Sequence, residues 1–92
     1  MNHIGVNKKI IFNDQKKEIL LIEIHSGGFT DFFNDKYDYV INILNSSVRV
    51  IYNGKKNDQY FIGVESFQVN KGEKFQLQNI SSNVGQIVVI KL

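Results

Sequence analysis

Turn signals recur along this sequence at intervals of 7 to 17 residues, about eleven on average. They separate short runs that are rich in β-branched and aromatic residues, which favour strands. The chain has 22 Val and Ile residues, seven Phe and four Tyr, whereas the best helix former, Ala, is absent. Turns that recur between short strands are typical of a β-sandwich or a small barrel. The turn signals are Asn13-Asp14, Gly27-Gly28, Asn34-Asp35, Asn45-Ser46, Asn53-Gly54, Asn70-Lys71-Gly72 and Ser81-Ser82-Asn83.

The segments between the turns predict an all-β domain. Only Tyr39–Leu44 also fits a short helix, and we favour a strand there because Val40, Ile41 and Ile43 are β-branched. Strands are expected near Ile10–Phe12, Glu18–His25, Phe29–Phe33, Tyr37–Leu44, Val48–Tyr52, Gln59–Val64, Ser66–Val69, Lys74–Gln78 and Gly85–Leu92.

Two segments make sharper predictions. Val48–Tyr52 alternates strictly, and the Asn53-Gly54 pair that follows predicts a tight type I′ hairpin turn. The last strand, Gly85–Leu92, is apolar on both faces until its final turn. A strand of this kind belongs in the middle of a sheet or in a dimer interface.

Length and composition limit the function classes. With 92 residues the chain suffices for one domain, here 1–92, in which the first seventeen residues are expected to be loosely attached. The absence of Cys excludes disulfides, thiolate metal sites and cysteine nucleophiles, and it favours a cytoplasmic protein. No apolar run near the start is long enough for a signal peptide or a membrane span. The net charge is only +2, and the ten Lys are scattered along the chain, six of them in three adjacent pairs, so nucleic-acid binding is not expected.

The segment Asn70–Asn79 resembles the second sequence motif of the cupins, a superfamily of jelly-roll barrels. Gly72 and Asn79 match the motif, while Asn70 stands in place of its Pro and Phe75 in place of its His. The first cupin motif is matched more loosely, by Gly28, Asn34, Lys36, Tyr39 and Ser46. The resemblance implies a cupin-like jelly roll of about eight antiparallel strands. It also implies a degenerate member, because every metal-ligand position of the motifs is substituted.

Several site residues follow from this resemblance as expectations. Phe75 is expected to point into the barrel and to fill the space of a metal, so we expect no metal and no other cofactor. The ligand-binding candidates are Asn34, Lys36, Tyr39 and Phe75. Metal-independent cupin-like epimerases and isomerases use His, Tyr and Arg, and the corresponding catalytic candidates are His25, Tyr39, Tyr52 and Arg49. That alternative requires Arg49, the only Arg, to point inward, whereas alternation with Val48 and Val50 favours the outer face.

The sequence therefore favours a binding module over an enzyme. We expect a non-catalytic, metal-free module for a small polar ligand, such as a sugar or nucleotide, or for a protein partner, and we expect a homodimer formed by strand addition or face packing. Two alternatives stay open: a metal-independent sugar-nucleotide epimerase or isomerase, and a small phage or mobile-element protein that inhibits a host factor or sequesters a nucleotide. His3 is expected to be a bystander, and His25 is either a strand-end imidazole or a lone acid/base group.

Overall fold

A computed structural model describes residues 4–14, 17–54 and 56–92. His3 lies outside the described residues. Within them the chain forms eight strands and no helix. The strands are β1 (Ile4–Asn13), β2 (Glu18–Phe29), β3 (Tyr39–Ile43), β4 (Val48–Tyr52), β5 (Gln59–Phe61), β6 (Glu65–Val69), β7 (Phe75–Asn79) and β8 (Gly85–Lys91).

All the strand pairs are antiparallel and join into one curved, nearly closed barrel-like sheet. The order is β5-β4-β7-β2-β8-β3-β6. Strand β1 lies outside this path and pairs with β2 along the edge opposite to β8. The long strand β2 links the two halves: Glu18–Ile24 pairs with β8, whereas Phe29 pairs with Gln78 of β7. Strand β8 lies between β2 and β3, so the prediction of a central last strand is confirmed.

Alternation along the strands decides which residues fill the barrel. In strands β3, β4 and β7, the first, third and fifth residues are buried and the two between them are half-buried. The strand predicted at Tyr39–Leu44 is thereby confirmed over the helix alternative. The core consists of Ile22, Ile24, Phe33, Tyr39, Ile41, Ile43, Val48, Val50, Tyr52, Val69, Phe75, Leu77, Ile87 and Val89.

The predicted strand at Phe29–Phe33 is wrong beyond its first residue, with which β2 ends. The segment still follows β7, but a side chain interrupts the ladder there. The backbone N–H of Leu77 donates to the buried hydroxyl of Thr30 at 3.0 Å, while the Thr30 N–H donates to the Leu77 carbonyl at 2.9 Å. A hydroxyl that competes for a ladder donor in this way disfavours regular pairing.

The type I′ turn at Asn53-Gly54 is also wrong. Strand β4 does pair with β5, but Val50 lies opposite Gln59, so the connection is far longer than two residues. Asn53 does not have the positive φ that a type I′ turn requires. Its N–H instead donates to the carbonyl of Lys74 at 2.9 Å, which ties the connection to the chain before β7.

The N-terminal strand is longer than predicted. Residues Ile4–Asn13 pair with β2, and the register shifts twice, between Ile4 and Val6 and between Ile10 and Phe12. The second shift makes Ile11 the extra residue of a β-bulge. Phe12 therefore lies opposite Ile19, whereas Ile10 lies opposite Leu20.

Candidate functional sites in the barrel and on its outer face

Three aromatic rings pack together inside the barrel, where β3 and β7 begin. Phe33 and Phe75 stack with their ring centres 4.6 Å apart and 4° between the planes. Tyr39 meets both edge-on, at 5.3 Å from Phe33 and 5.4 Å from Phe75. Contacts of this geometry add to the free energy gained from burial. The rings thus fill this end of the barrel with mutually packed side chains.

The Tyr39 hydroxyl is a neutral donor. It donates to the backbone carbonyl of Asn34 at 3.0 Å. Burial, together with the nearby Tyr37 and Glu18, raises the pKa of Tyr39 to about 12. Because burial disfavours the phenolate, this group is no base near neutral pH.

The four predicted ligand-binding residues divide into two groups. Tyr39 and Phe75 are buried and contact each other in the aromatic cluster. Asn34 and Lys36 are exposed on the loop before β3, where the Asn34 side-chain oxygen accepts the backbone N–H of Lys36 at 2.9 Å. That bond stabilises the loop itself. The structure brings Asn34 to Tyr39 only through its backbone.

The four catalytic candidates of the epimerase alternative are not brought together. Arg49 lies on the outer side of β4, where its Nε and Nη2 donate to Asp58 Oδ2 at 2.9 and 2.6 Å. Tyr52 points inward and donates to Gln59 Oε1 at 2.7 Å. His25 is exposed and packs beside Gly5, the glycine at the first register shift of β1. Arg49 and the two tyrosines are therefore separated by the sheet.

The described residues contain no group of three or more His, Cys, Asp or Glu side chains that could hold a metal ion. At the motif positions, Phe75 offers no donor atom and the Tyr39 hydroxyl is engaged with a carbonyl. Protein sites for transition metals use imidazole, thiolate or carboxylate ligands, so this donor set does not fit one.

A shallow cleft of about 140 Å³ lies at one end of the barrel, lined by Asn13, Asp14, Lys17, Glu18, Tyr37, Lys91 and Leu92. The Lys91 ammonium lies 3.4 Å from Glu18 Oε1 and 4.5 Å from the centre of the Tyr37 ring. The charges of Lys91 and Glu18 therefore neutralise one another. Ligand pockets are usually several hundred Å³ in volume, so the cleft is small for a sugar or nucleotide.

The outer side of the sheet formed by β1, β2, β8 and β3 carries several half-buried aliphatic side chains, with Lys9 opposite Leu21 and Asn42 opposite Val88 beside them. Across it Leu21 lies opposite Val88, and Ile90 lies opposite both Ile19 and Val40. Phe12, which the bulge turns to this side, adds a ring that is 46% exposed. We define the apolar outer face as Phe12, Ile19, Leu21, Val40, Val88 and Ile90.

The opposite outer side, on β4 and β7, is polar. Arg49, Gln76 and Gln78 lie there beside the single aliphatic residue Ile51, and Gln78 Oε1 accepts Arg49 Nη1 at 3.4 Å. The two outer sides of one small barrel thus differ in polarity. The sequence analysis predicts only part of the apolar outer side. It uses the apolar residues on both faces of β8, but not the matching run Ile19–Ile24 on β2.

Comparisons with known proteins place these observations in a structural class. No protein-family model matches the sequence, and no curated protein is similar to it in sequence. Nor does any helix in the described part of the chain have the length and apolar character to cross a membrane. Solved structures, in contrast, match over almost the whole chain.

Three of these structures illustrate the match. The Cnp3 cupin domain of Schizosaccharomyces pombe matches 99% of this chain and 67% of its own, with 15% identity and a TM-score of 0.81. The polyketide cyclase RemF of Streptomyces resistomycificus matches 98% and 66%, with 11% identity and a TM-score of 0.82. An RmlC-like cupin of Shewanella frigidimarina matches 95% and 75%, with 11% identity and a TM-score of 0.77.

The strand order and the inward alternation define an antiparallel jelly-roll barrel. The structural matches specify which kind: the chain has the cupin fold. The fold that its resemblance to the cupin motifs implied is thereby confirmed. Because the matching structures include an enzyme and a domain described only by its fold, the match carries no activity to this chain.

Proposed function

We propose that this chain is a non-catalytic, metal-free binding module that acts through its outer surface and binds a protein partner, in the first place a second copy of itself. The filling of the barrel is the observation that carries this proposal. Phe75, Leu77, Ile22 and Ile87 are fully buried where an internal ligand would lie. A small-molecule site needs a concave space with a few convergent polar groups, and the packed core offers neither.

The apolar outer face supplies the binding surface. Surfaces that carry several neighbouring aliphatic side chains commonly mark interaction sites. Here the aliphatic side chains lie on adjacent strands and not singly, and the opposite outer side is polar. Edge pairing through β1 is less favoured, because its two register shifts disrupt the regular ladder that strand addition needs. Of the two modes of dimer formation expected from sequence, we therefore propose face packing.

Light scattering across a concentration series tests the proposal. We expect a mass twice the 10.6 kDa of one chain at the upper concentrations. Ile90→Glu should reduce the species to a monomer, because Ile90 lies between Ile19 and Val40 in the apolar outer face. Ile51→Glu is the matched control, since Ile51 is equally half-buried on the polar side. A wild-type protein that stays monomeric throughout would contradict self-association.

Two further measurements separate this function from its rivals. Elemental analysis of purified protein should find no stoichiometric transition metal. A thermal-shift screen against sugar nucleotides and nucleotides should be flat, whereas a true ligand at 100 times its dissociation constant stabilises by about 2.7 kcal/mol. A clear thermal shift with any of these ligands would indicate that the module binds a small polar ligand and not a protein partner.

A further inference from the structure

The Asn53-Gly54 pair is the only Asn-Gly pair of the sequence, and both of its residues are exposed. Strand β4 ends at Tyr52 and β5 begins at Gln59, so the pair opens the irregular connection between these strands. It forms neither a strand ladder nor the tight turn that its sequence favours. The chemistry of the pair is therefore not restrained by regular backbone structure.

The side chain of Asn53 differs from those of most other asparagines in the structure, because no described residue makes a hydrogen bond to it. Its backbone N–H alone is engaged, with the Lys74 carbonyl at 2.9 Å. That bond holds the backbone before the side chain and leaves the side chain able to rotate towards Gly54. The asparagines whose side chains are held by hydrogen bonds are Asn34, Asn42, Asn45, Asn70, Asn79 and Asn83.

Gly54 places an unhindered backbone nitrogen next to the Asn53 side chain. Its φ is +148°, a conformation that residues with a side chain rarely adopt, and no atom lies within 4 Å of the place that a Cβ would take. Glycine has the widest conformational freedom of all residues. A ring that closes through this nitrogen therefore meets little steric resistance.

We propose that Asn53 is a site of spontaneous deamidation through a succinimide formed with the Gly54 nitrogen. Asparagine is among the thermolabile residues of proteins. The Gly54 nitrogen loses its proton to hydroxide and attacks Asn53 Cγ, so that a new C–N bond forms. The bond from Cγ to Nδ2 breaks, and the amide nitrogen takes up a proton and leaves as ammonia. Water then opens the ring, so one water is consumed, one ammonia is released and nothing is oxidised or reduced.

The two directions of ring opening give two products. Opening at Cγ gives aspartate, whereas opening at the backbone carbonyl gives isoaspartate, whose main chain runs through Cγ and is longer by one carbon. Either product adds a carboxylate that is ionised at neutral pH, so the net charge of +2 falls by one. Exposed connections tolerate added chain length, and the bond from Asn53 to Lys74 precedes the altered link. The product is expected to be a folded protein of altered charge.

Tryptic digestion isolates this site for measurement. Cleavage after Arg49 and after Lys55 gives the peptide Val50–Lys55, in which Asn53 is the only side-chain amide. Incubation of the folded protein at mildly alkaline pH should convert this peptide into two products of the aspartate mass, which chromatography separates. The isoaspartate product should accept a methyl group from S-adenosylmethionine in the presence of an isoaspartyl methyltransferase. The rate should rise with pH, because the deprotonated Gly54 nitrogen is the nucleophile.

Controls within the chain show whether the pair itself is responsible. Asn57 is exposed in the same connection but is followed by Asp58, and it should convert far more slowly than Asn53. Asn53→Gln retains an amide and should give no product. Gly54→Ala should slow the reaction by about tenfold or more, since a side chain then opposes ring closure. Conversion at Asn57 as fast as at Asn53 would overturn the proposal.

The synthetic peptide Val50–Lys55 supplies the rate of the unrestrained pair. The folded protein should react within about tenfold of that rate, because an exposed bend adds only a small conformational barrier. No conversion in the folded protein while the peptide reacts would show that the fold protects Asn53. Circular dichroism and denaturant titration of the converted protein should match the starting material. Asn53 is not part of the apolar outer face, so these outcomes do not depend on self-association.

Discussion

The rings of Phe33 and Phe75 stack with 4.6 Å between their centres and 4° between their planes in the barrel interior. Phe75 belongs to β7, whereas Phe33 belongs to the irregular segment after β2. The backbone N–H of Phe33 also donates to the Phe75 carbonyl at 2.7 Å. The stack therefore fastens that segment to the barrel. A motif position that carries His in cupins with a metal is here part of the hydrophobic core.

Replacing Phe75 with Ala should cost about 3–5 kcal/mol of unfolding free energy, because it removes a fully buried ring and leaves a cavity. Denaturant titration measures the change. Phe32→Ala, which removes the same atoms from an exposed ring, is the control and should cost less than about 1 kcal/mol. Equal costs at the two positions would show that Phe75 does not fill the interior.

Substituting Phe75 with His asks whether the fold can regain a metal ligand. We expect the variant to be destabilised and to bind no transition metal, because the rings that pack on this position, Phe33 and Tyr39, offer neither imidazole nor carboxylate. Titration with nickel or zinc, followed by thermal shift, measures this. The wild-type protein is the control, and a stabilisation seen in the variant alone would show that ligands converge there after all.

Alkaline pH should weaken the fold through Tyr39. Its pKa is about 12 in the folded protein, against 10.0 for an ordinary tyrosine. Because the folded state holds this proton more tightly, the stabilisation is complete below pH 10 and is lost as the pH rises from 10 to 12. The loss amounts to roughly 2–3 kcal/mol for a difference of this size. Denaturation at several pH values measures it, and Tyr39→Phe, which cannot ionise, should lose less. An identical loss in both proteins would assign it to other groups.

How far the sequence predicts this molecule depends on which interactions decide each feature. Alternation predicts that Val48 and Val50 share the face of β4 opposite to Arg49, and the structure shows that this shared face is the interior. The prediction of a type I′ turn at Asn53-Gly54 is wrong because it uses local preference alone. The hydrogen bond from the Asn53 N–H to the Lys74 carbonyl joins residues that are distant in sequence.

The apolar outer face was harder to predict for a related reason. It arises from residues on separate strands, and only the register of β2 against β8 brings Leu21 beside Val88. The place of Phe12 depends on a bulge at Ile11, and no local signal marks which residue of an apolar run will be the extra one. Such features require the strand pairing to be known first.

Arg49 should prove to be a surface residue with a small role. Its ion pair with Asp58 joins side chains that are 37% and 27% exposed, and pairs of this kind contribute about 0–1 kcal/mol. Arg49→Gln should therefore cost less than about 1 kcal/mol in denaturant titration and leave the mass in solution unchanged. A large loss of stability would contradict the small structural role, and a loss of affinity for an anionic ligand would show that Arg49 is a phosphate or carboxylate clamp.

Gly85 should tolerate no side chain, for a steric reason that the sequence does not reveal. A Cβ at this position would lie 2.5 Å from the Ser46 hydroxyl and 2.9 Å from Ser46 Cβ, and both residues are buried. Gly85→Ala is expected to cost about 1–3 kcal/mol, as overpacking of a close-packed interior usually does. Denaturant titration measures the cost, and the double variant with Ser46→Gly should recover part of it because the clashing atoms are removed. If the double variant is no more stable than Gly85→Ala alone, the contact with Ser46 is not the cause, and the glycine is needed for its backbone.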